Sequence, residues 1–182
     1  AHSLGKILVT NVQQGAKWGR WELPDEYLMG NVQANYSLMG NRIFGIERIN
    51  LDSCMKEWLG WLKYSKAQTN TPYIVKPLDQ MQYGDNVLTY EYTKSNNQKL
   101  TYIFEARSNI STTCVNETVW NKALNIYCLE DKPNGFAQHS INLIRTLLVN
   151  DDNFADPNVG IGVKLNSFSG QDANITIYDF NL

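Results

Sequence analysis

Histidine is nearly missing from this chain. Its two copies, His2 and His139, lie far apart, and neither has a second histidine at metal-ligand spacing. No Cys-x-x-Cys occurs, so no zinc site is expected, and nothing in the sequence calls for a metal or a cofactor. A Ser–His–Asp hydrolase would have to use His139. No Gly-x-Ser-x-Gly elbow supports it, and the adjacency of Ser140 does not make a triad. Basic residues are not in excess, with 16 Lys and Arg against 18 Asp and Glu. A net charge of -2 and a pI of about 5.7 leave no electrostatic footprint for nucleic acid. No apolar run approaches the roughly 20 residues that a membrane helix needs. No low-complexity tract, linker or charge block divides the chain, so its 182 residues read as one domain.

Hydrophobic residues are plentiful, at 43% against 19% charged, so the chain can bury a core. Two stretches carry the strongest pattern. In 85–107, the run Val87-Leu88-Thr89-Tyr90-Glu91-Tyr92-Thr93 alternates apolar with polar residues. Lys94-Ser95-Asn96-Asn97-Gln98 breaks it, and the chain returns as Leu100-Thr101-Tyr102-Ile103-Phe104-Glu105-Ala106. In 158–182, Val159 to Leu165 goes out, Phe168-Ser169-Gly170-Gln171-Asp172 turns, and Ile175 to Phe180 returns. Period-two alternation bounded by turn residues predicts a β-hairpin at each place. Their similar layouts suggest a duplication, with 1–107 and 108–182 as candidate pseudo-repeats.

Elsewhere the pattern predicts strands over 6–10, 28–38, 43–51 and 123–128, with a turn at Asp131-Lys132-Pro133-Asn134-Gly135. The runs 55–66 and 139–149 fit either period; strand is preferred for the first, and is expected for the second if the duplication is real. Asn70-Thr71-Pro72 reads as loop, because proline cannot donate to a ladder. Many short strands with frequent turns predict an all-β fold, an antiparallel sandwich or a barrel-like prism.

Four Asn-x-Ser/Thr sequons, at Asn35, Asn109, Asn116 and Asn174, point to glycosylation on a secretory route. A start at Ala1-His2-Ser3 without Met fits a processed secreted chain. Cys114 and Cys128 flank a short polar segment, and a bridge between them would contribute about 3 kcal/mol. Cys54 is left over. It reads as a buried thiol, as half of an intermolecular pair, or as a partner for either of the other two.

The chain has five Trp, ten Tyr and six Phe. Trp18, Trp21, Trp58 and Trp61 are the candidate interface anchors, with ordinary core packing as the alternative. The acidic pairs Asp25–Glu26 and Asp151–Asp152 fit turn chemistry better than a glycosidase dyad or a calcium loop.

Two family resemblances follow from particular residues. Ile144-Arg145-Thr146-Leu147 and the stretch 158–178, closing on Ile177-Tyr178-Asp179, resemble secreted insect proteins of the multiprotein bridging factor type 2 family. Those close on Ile-Tyr-Gly, so the final Gly is missing here. The resemblance covers about a third of the chain and implies a small extracellular β-protein of arthropod origin. Val9-Thr10-Asn11, Trp18-Gly19-Arg20-Trp21 and Gly45-Ile46 resemble vitelline membrane outer layer proteins, whose β-prism is built on Trp-Gly-x-Trp repeats. This chain lacks most of their cysteines.

These readings converge on an extracellular, glycosylated, non-catalytic β-protein. Its expected work is interaction or assembly with protein, including copies of itself, through strand edges and aromatic patches. The alternative is a lectin-like or salivary-type module for a carbohydrate or small ligand. Neither a nucleic-acid partner nor a membrane span is expected.

Overall fold

The computed structural model describes residues 53–58, 60–108, 122–131 and 139–180. The strands expected over 6–10, 28–38 and 43–51 lie outside them. So does most of the turn at 131–135. A short helix, α1 (Ser53–Trp58), precedes nine strands. These are β1 (Lys63–Lys66), β2 (Thr71–Val75), β3 (Asn86–Thr93), β4 (Lys99–Ser108), β5 (Lys122–Asp131), β6 (His139–Leu147), β7 (Asn153–Asp156), β8 (Ile161–Ser169) and β9 (Asp172–Asp179). Among the described residues no helix is long and apolar enough to cross a membrane.

The strands form two sheets, ordered β1-β3-β4-β5-β6 and β2-β9-β8-β7. The fold is an all-β sandwich, and among the described residues neither sheet closes into a barrel. Among the described strands pairing is antiparallel except for β1 beside β3, which is parallel. That exception arises because the chain leaves β1 for the other sheet, forms β2, and only then returns as β3.

Alternation along each strand selects the facing side chains. Leu100, Tyr102, Phe104 and Ala106 of β4 meet Ile161, Val163 and Leu165 of β8 and Ile175 and Ile177 of β9 in one buried cluster. Polar contacts tie the two sheets together. The Tyr102 hydroxyl donates to the Asp156 carboxylate at 2.6 Å. Burial, and then that bond, push the Tyr102 pKa up. Lys122 Nζ donates to the Gly170 carbonyl and sits 5.8 Å from the Phe168 ring centroid.

Both expected hairpins form, but in different sheets. The β3–β4 turn closes through Lys94 N–H to Gln98 O at 2.8 Å, with Asn97 in the left-handed region at φ 62°. The β8–β9 turn is tighter than expected. Gly170 takes φ 61° at the first of two central positions, as a type II′ turn requires. Phe168 and Ser169 therefore belong to β8, and Asp172 belongs to β9. A bulge at Asn166, between the pairs Leu165–Ile175 and Ser167–Asn174, shifts the alternation and turns Phe168 back toward the core.

Three expectations need correction or completion. The run 55–66 is not a continuous strand: its first part is helical and only Lys63–Lys66 is extended. The residues Thr71 and Pro72, read as loop, begin β2. That strand ends its sheet, with β9 as its only partner among the described strands, and such a position tolerates a residue without an N–H. The run 139–149, which fits either period, is a strand through Leu147.

Replacing Tyr102 by Phe removes the bond across the sandwich and leaves its packing. Hydrogen bonds to charged acceptors contribute about 1.5–3 kcal/mol. Urea unfolding of Tyr102→Phe should show a loss near the lower end of that range, with an unchanged m-value.

Candidate binding cleft

The end of α1 sets the geometry of an open cleft. Gly60 takes φ +79°, its N–H donates to Glu57 O at 2.8 Å, and Trp61 N–H donates to Lys56 O at 2.8 Å. These two bonds around a left-handed glycine form a Schellman motif, which stops the helix and throws Trp61 outward. A second corner lies at Gln82-Tyr83-Gly84-Asp85. Asp85 N–H donates to Gln82 O at 3.1 Å, and Gly84 takes φ +88°, as the third residue of a type II turn must.

The two corners are stapled together by backbone. Gly84 N–H donates to Trp61 O at 2.7 Å, and Lys63 N–H donates to Asp85 O at 3.0 Å. The Asp85 carboxylate accepts from Gln82 N–H at 2.9 Å and from Lys76 Nζ at 3.0 Å. The Gln82 amide, and then Lys76, hold its carboxyl below the ordinary value of 3.8.

Between the corners lies a cleft of about 170 Å³, lined among the described residues by Lys56, Trp61, Leu62, Met81, Gln82 and Tyr83. Trp61 is 42% exposed and Tyr83 83% exposed. The volume is below the roughly 300–1,000 Å³ of a pocket for a drug-sized ligand. It suits one ring of a larger molecule.

A buried polar cluster anchors this arrangement. Glu105 and Arg107 are two apart on β4 and face away from the inter-sheet core, yet both are buried. The Glu105 carboxylate accepts from Arg107 Nε at 2.6 Å and from the Ser53 N–H at 2.7 Å, with the Tyr127 hydroxyl at 3.5 Å. Ser53 begins α1, so this carboxylate ties the helix, and through it Trp61, to the sheet. The Asp79 carboxylate accepts from the Ser108 N–H and hydroxyl, which fastens the 3₁₀ turn Leu78–Gln80 to the end of β4.

Of the expected anchors, Trp61 lines the cleft. Trp58 lies in α1, and its side chain is outside the description; Trp18 and Trp21 lie outside the described residues. The same holds for Asn35, Asn109, Asn116 and Cys114, and for Asp25 and Glu26. Asn174 sits on β9, partly buried. Cys128, expected to bridge to Cys114, is a free thiol buried in the inter-sheet core, where burial pushes its pKa up to about 12. Cys54 lies in α1. Asp151 pairs with Lys164 at 2.7 Å, and Asp152 accepts from the Asn153 N–H at 2.9 Å, so this acidic pair braces the turn before β7. Among the described residues no three His, Cys, Asp or Glu side chains gather as metal ligands.

Sequence reasoning missed Tyr83 and the Glu105–Arg107 pair. The Tyr83-Gly84-Asp85 turn signal was available for the first. Two opposite charges at i and i+2, directly after the apolar run Tyr102-Ile103-Phe104, were available for the second.

Three outcomes follow. Removing one partner of a buried ion pair costs about 3–5 kcal/mol, so Glu105→Ala should lose that much in denaturant unfolding. Open space surrounds the position of a Cβ at Gly60 and at Gly84. Alanine there should therefore cost only the left-handed strain, about 1–2 kcal/mol. Because the folded-state pKa of Asp85 is depressed, its contribution is complete above pH 3.8 and is lost as pH falls through the folded value. A side-chain carbon NMR titration should place its midpoint below 3.8, and a midpoint at or above that value contradicts the assignment.

No family model, curated protein or solved structure matches this chain.

Proposed function

We propose that this chain is an extracellular, non-catalytic binding protein that takes a saccharide ring in the cleft between Trp61 and Tyr83. The observation that carries the reading is the pair of exposed aromatic rings on two glycine corners fixed to each other before any ligand arrives. Flat aromatic faces stack on the C–H face of a sugar ring, and the Gln82 amide beside them supplies polar groups for hydroxyls. A preformed site loses little entropy on binding.

The non-catalytic part of the reading is supported by how six of the described carboxylates are used. Glu105, Asp79, Asp85, Asp151, Asp152 and Asp156 are each tied into a bond that holds backbone or strand together. The extracellular part is supported by the four sequons and by the likeness of the C-terminal third to secreted insect proteins.

A second reading, assembly of copies through a strand edge, is favoured by β6. Among the described strands it pairs with β5 alone. It carries an exposed Ile144 at the bulge opposite Ile126 and Tyr127, and an exposed Val149 just beyond it.

A glycan array separates the two. The binding reading expects a defined monomer that retains a subset of glycans. Trp61→Ala should weaken retention by roughly thirty-fold, the effect of losing about 2 kcal/mol at a hot spot. A chain that binds no glycan, and whose sedimentation coefficient rises with concentration, would replace it with assembly.

A further inference from the structure

The four-stranded sheet packs one face on the core and turns the other outward. Along β9 the core face carries Ala173, Ile175 and Ile177. The outward face carries Asn174, Thr176 and Tyr178, all partly exposed. The Tyr178 ring lies across Gly162, its partner on β8, where any Cβ would overlap it. On the other side of β9, Ile74 of β2 stands directly opposite Asn174 and is 73% exposed. A large apolar side chain so exposed on an edge strand is a liability for pairing with another chain.

We propose that Asn174 carries an N-linked glycan whose first sugar lies over Ile74 and screens the β2 edge. The sequon Asn174-Ile175-Thr176 runs along an extended strand, so Asn174 and Thr176 share the outward face while Ile175 fills the core. Asn174 Nδ2 has two protons. One is donated to Ser167 Oγ at 3.2 Å, and the other is available for replacement. In the modification, a bond forms between Nδ2 and the anomeric carbon of the sugar. The bond from that carbon to the lipid diphosphate of the donor breaks, the diphosphate departs, and Nδ2 gives up one proton. The remaining proton keeps the Ser167 bond, so the sheet need not reorganise. Thr176 Oγ1 is held in place by Asn166 Nδ2 at 2.9 Å.

For the natural chain this rests on the extracellular reading above, since the donor is met on the secretory route. The test supplies that route. The full chain is secreted from a eukaryotic cell with Asn35→Gln, Asn109→Gln and Asn116→Gln, which leaves Asn174 as the remaining sequon. Peptide mass spectrometry after amidase release of the glycan should show most Asn174 converted to Asp. A mobility shift on release should vanish in Thr176→Ala, which keeps the asparagine. Thr176→Ser, which keeps the sequon, should retain it. The enzymatically deglycosylated chain should self-associate at lower concentration than the glycosylated one, and Ile74→Lys should reverse that. Secreted, folded chain with a bare Asn174 overturns the inference by itself, because the host has provided the donor. Loss of the glycan with no change in self-association overturns the screening of Ile74. The location of the natural protein is tested separately, on material from its own source.

Discussion

From Tyr102 to Ser108 the strand Lys99–Ser108 has no free face, and the rest of the structure follows from that constraint. One side meets the second sheet through Tyr102, Phe104 and Ala106. The other side is also buried, although it carries a glutamate and an arginine. A carboxylate taken out of water must be paired and hydrogen-bonded, or it neutralises. Glu105 meets that demand by accepting from Arg107 and from the first amide of α1. The helix is therefore held where the charge needs it. Its glycine stop then places Trp61, and the stapled turn of Gln82 to Asp85 places Tyr83 beside it. A buried ion pair contributes little net stability on its own, but breaking it is costly. Here that cost fixes a location.

The parts of the fold legible in the sequence are those where a single local pattern decides the outcome. The hairpins of β3–β4 and β8–β9 show two-residue periodicity on both arms and turn residues between them, and both form. Elsewhere two local signals competed, and tertiary context chose. The run 55–66 fits either period, yet Gly60 within it is the left-handed residue that ends a helix. Thr71 and Pro72 read as loop because proline lacks a donor, yet an edge strand does not need that donor on its open side. Asn166 gives no warning of the bulge that reverses the direction of Phe168.

The candidate site was legible by residue type and not by position. Trp61 was singled out as an aromatic anchor, but its partner Tyr83 lies 22 residues further on, in a turn too short to show periodicity. What brings them together is a pair of backbone hydrogen bonds, and side-chain patterns do not record those. The inter-sheet position of Cys128 was hidden for a related reason. Its spacing from Cys114 suggested a small loop, whereas strand alternation in β5 sends its thiol into the core beside Ile126 and Leu124.

The central claim is that Glu105 and the two glycine corners hold the cleft in one fixed shape. Native-state hydrogen exchange tests it most directly, at the amides of Ser53, Lys63 and Gly84. The account predicts that all three exchange orders of magnitude more slowly than a free turn amide. It also predicts that Glu105→Gln speeds exchange at Ser53. Exchange of Gly84 and Lys63 at the rate of an unstructured peptide, while the β4 amides stay protected, would show that the corners are not stapled and would contradict it.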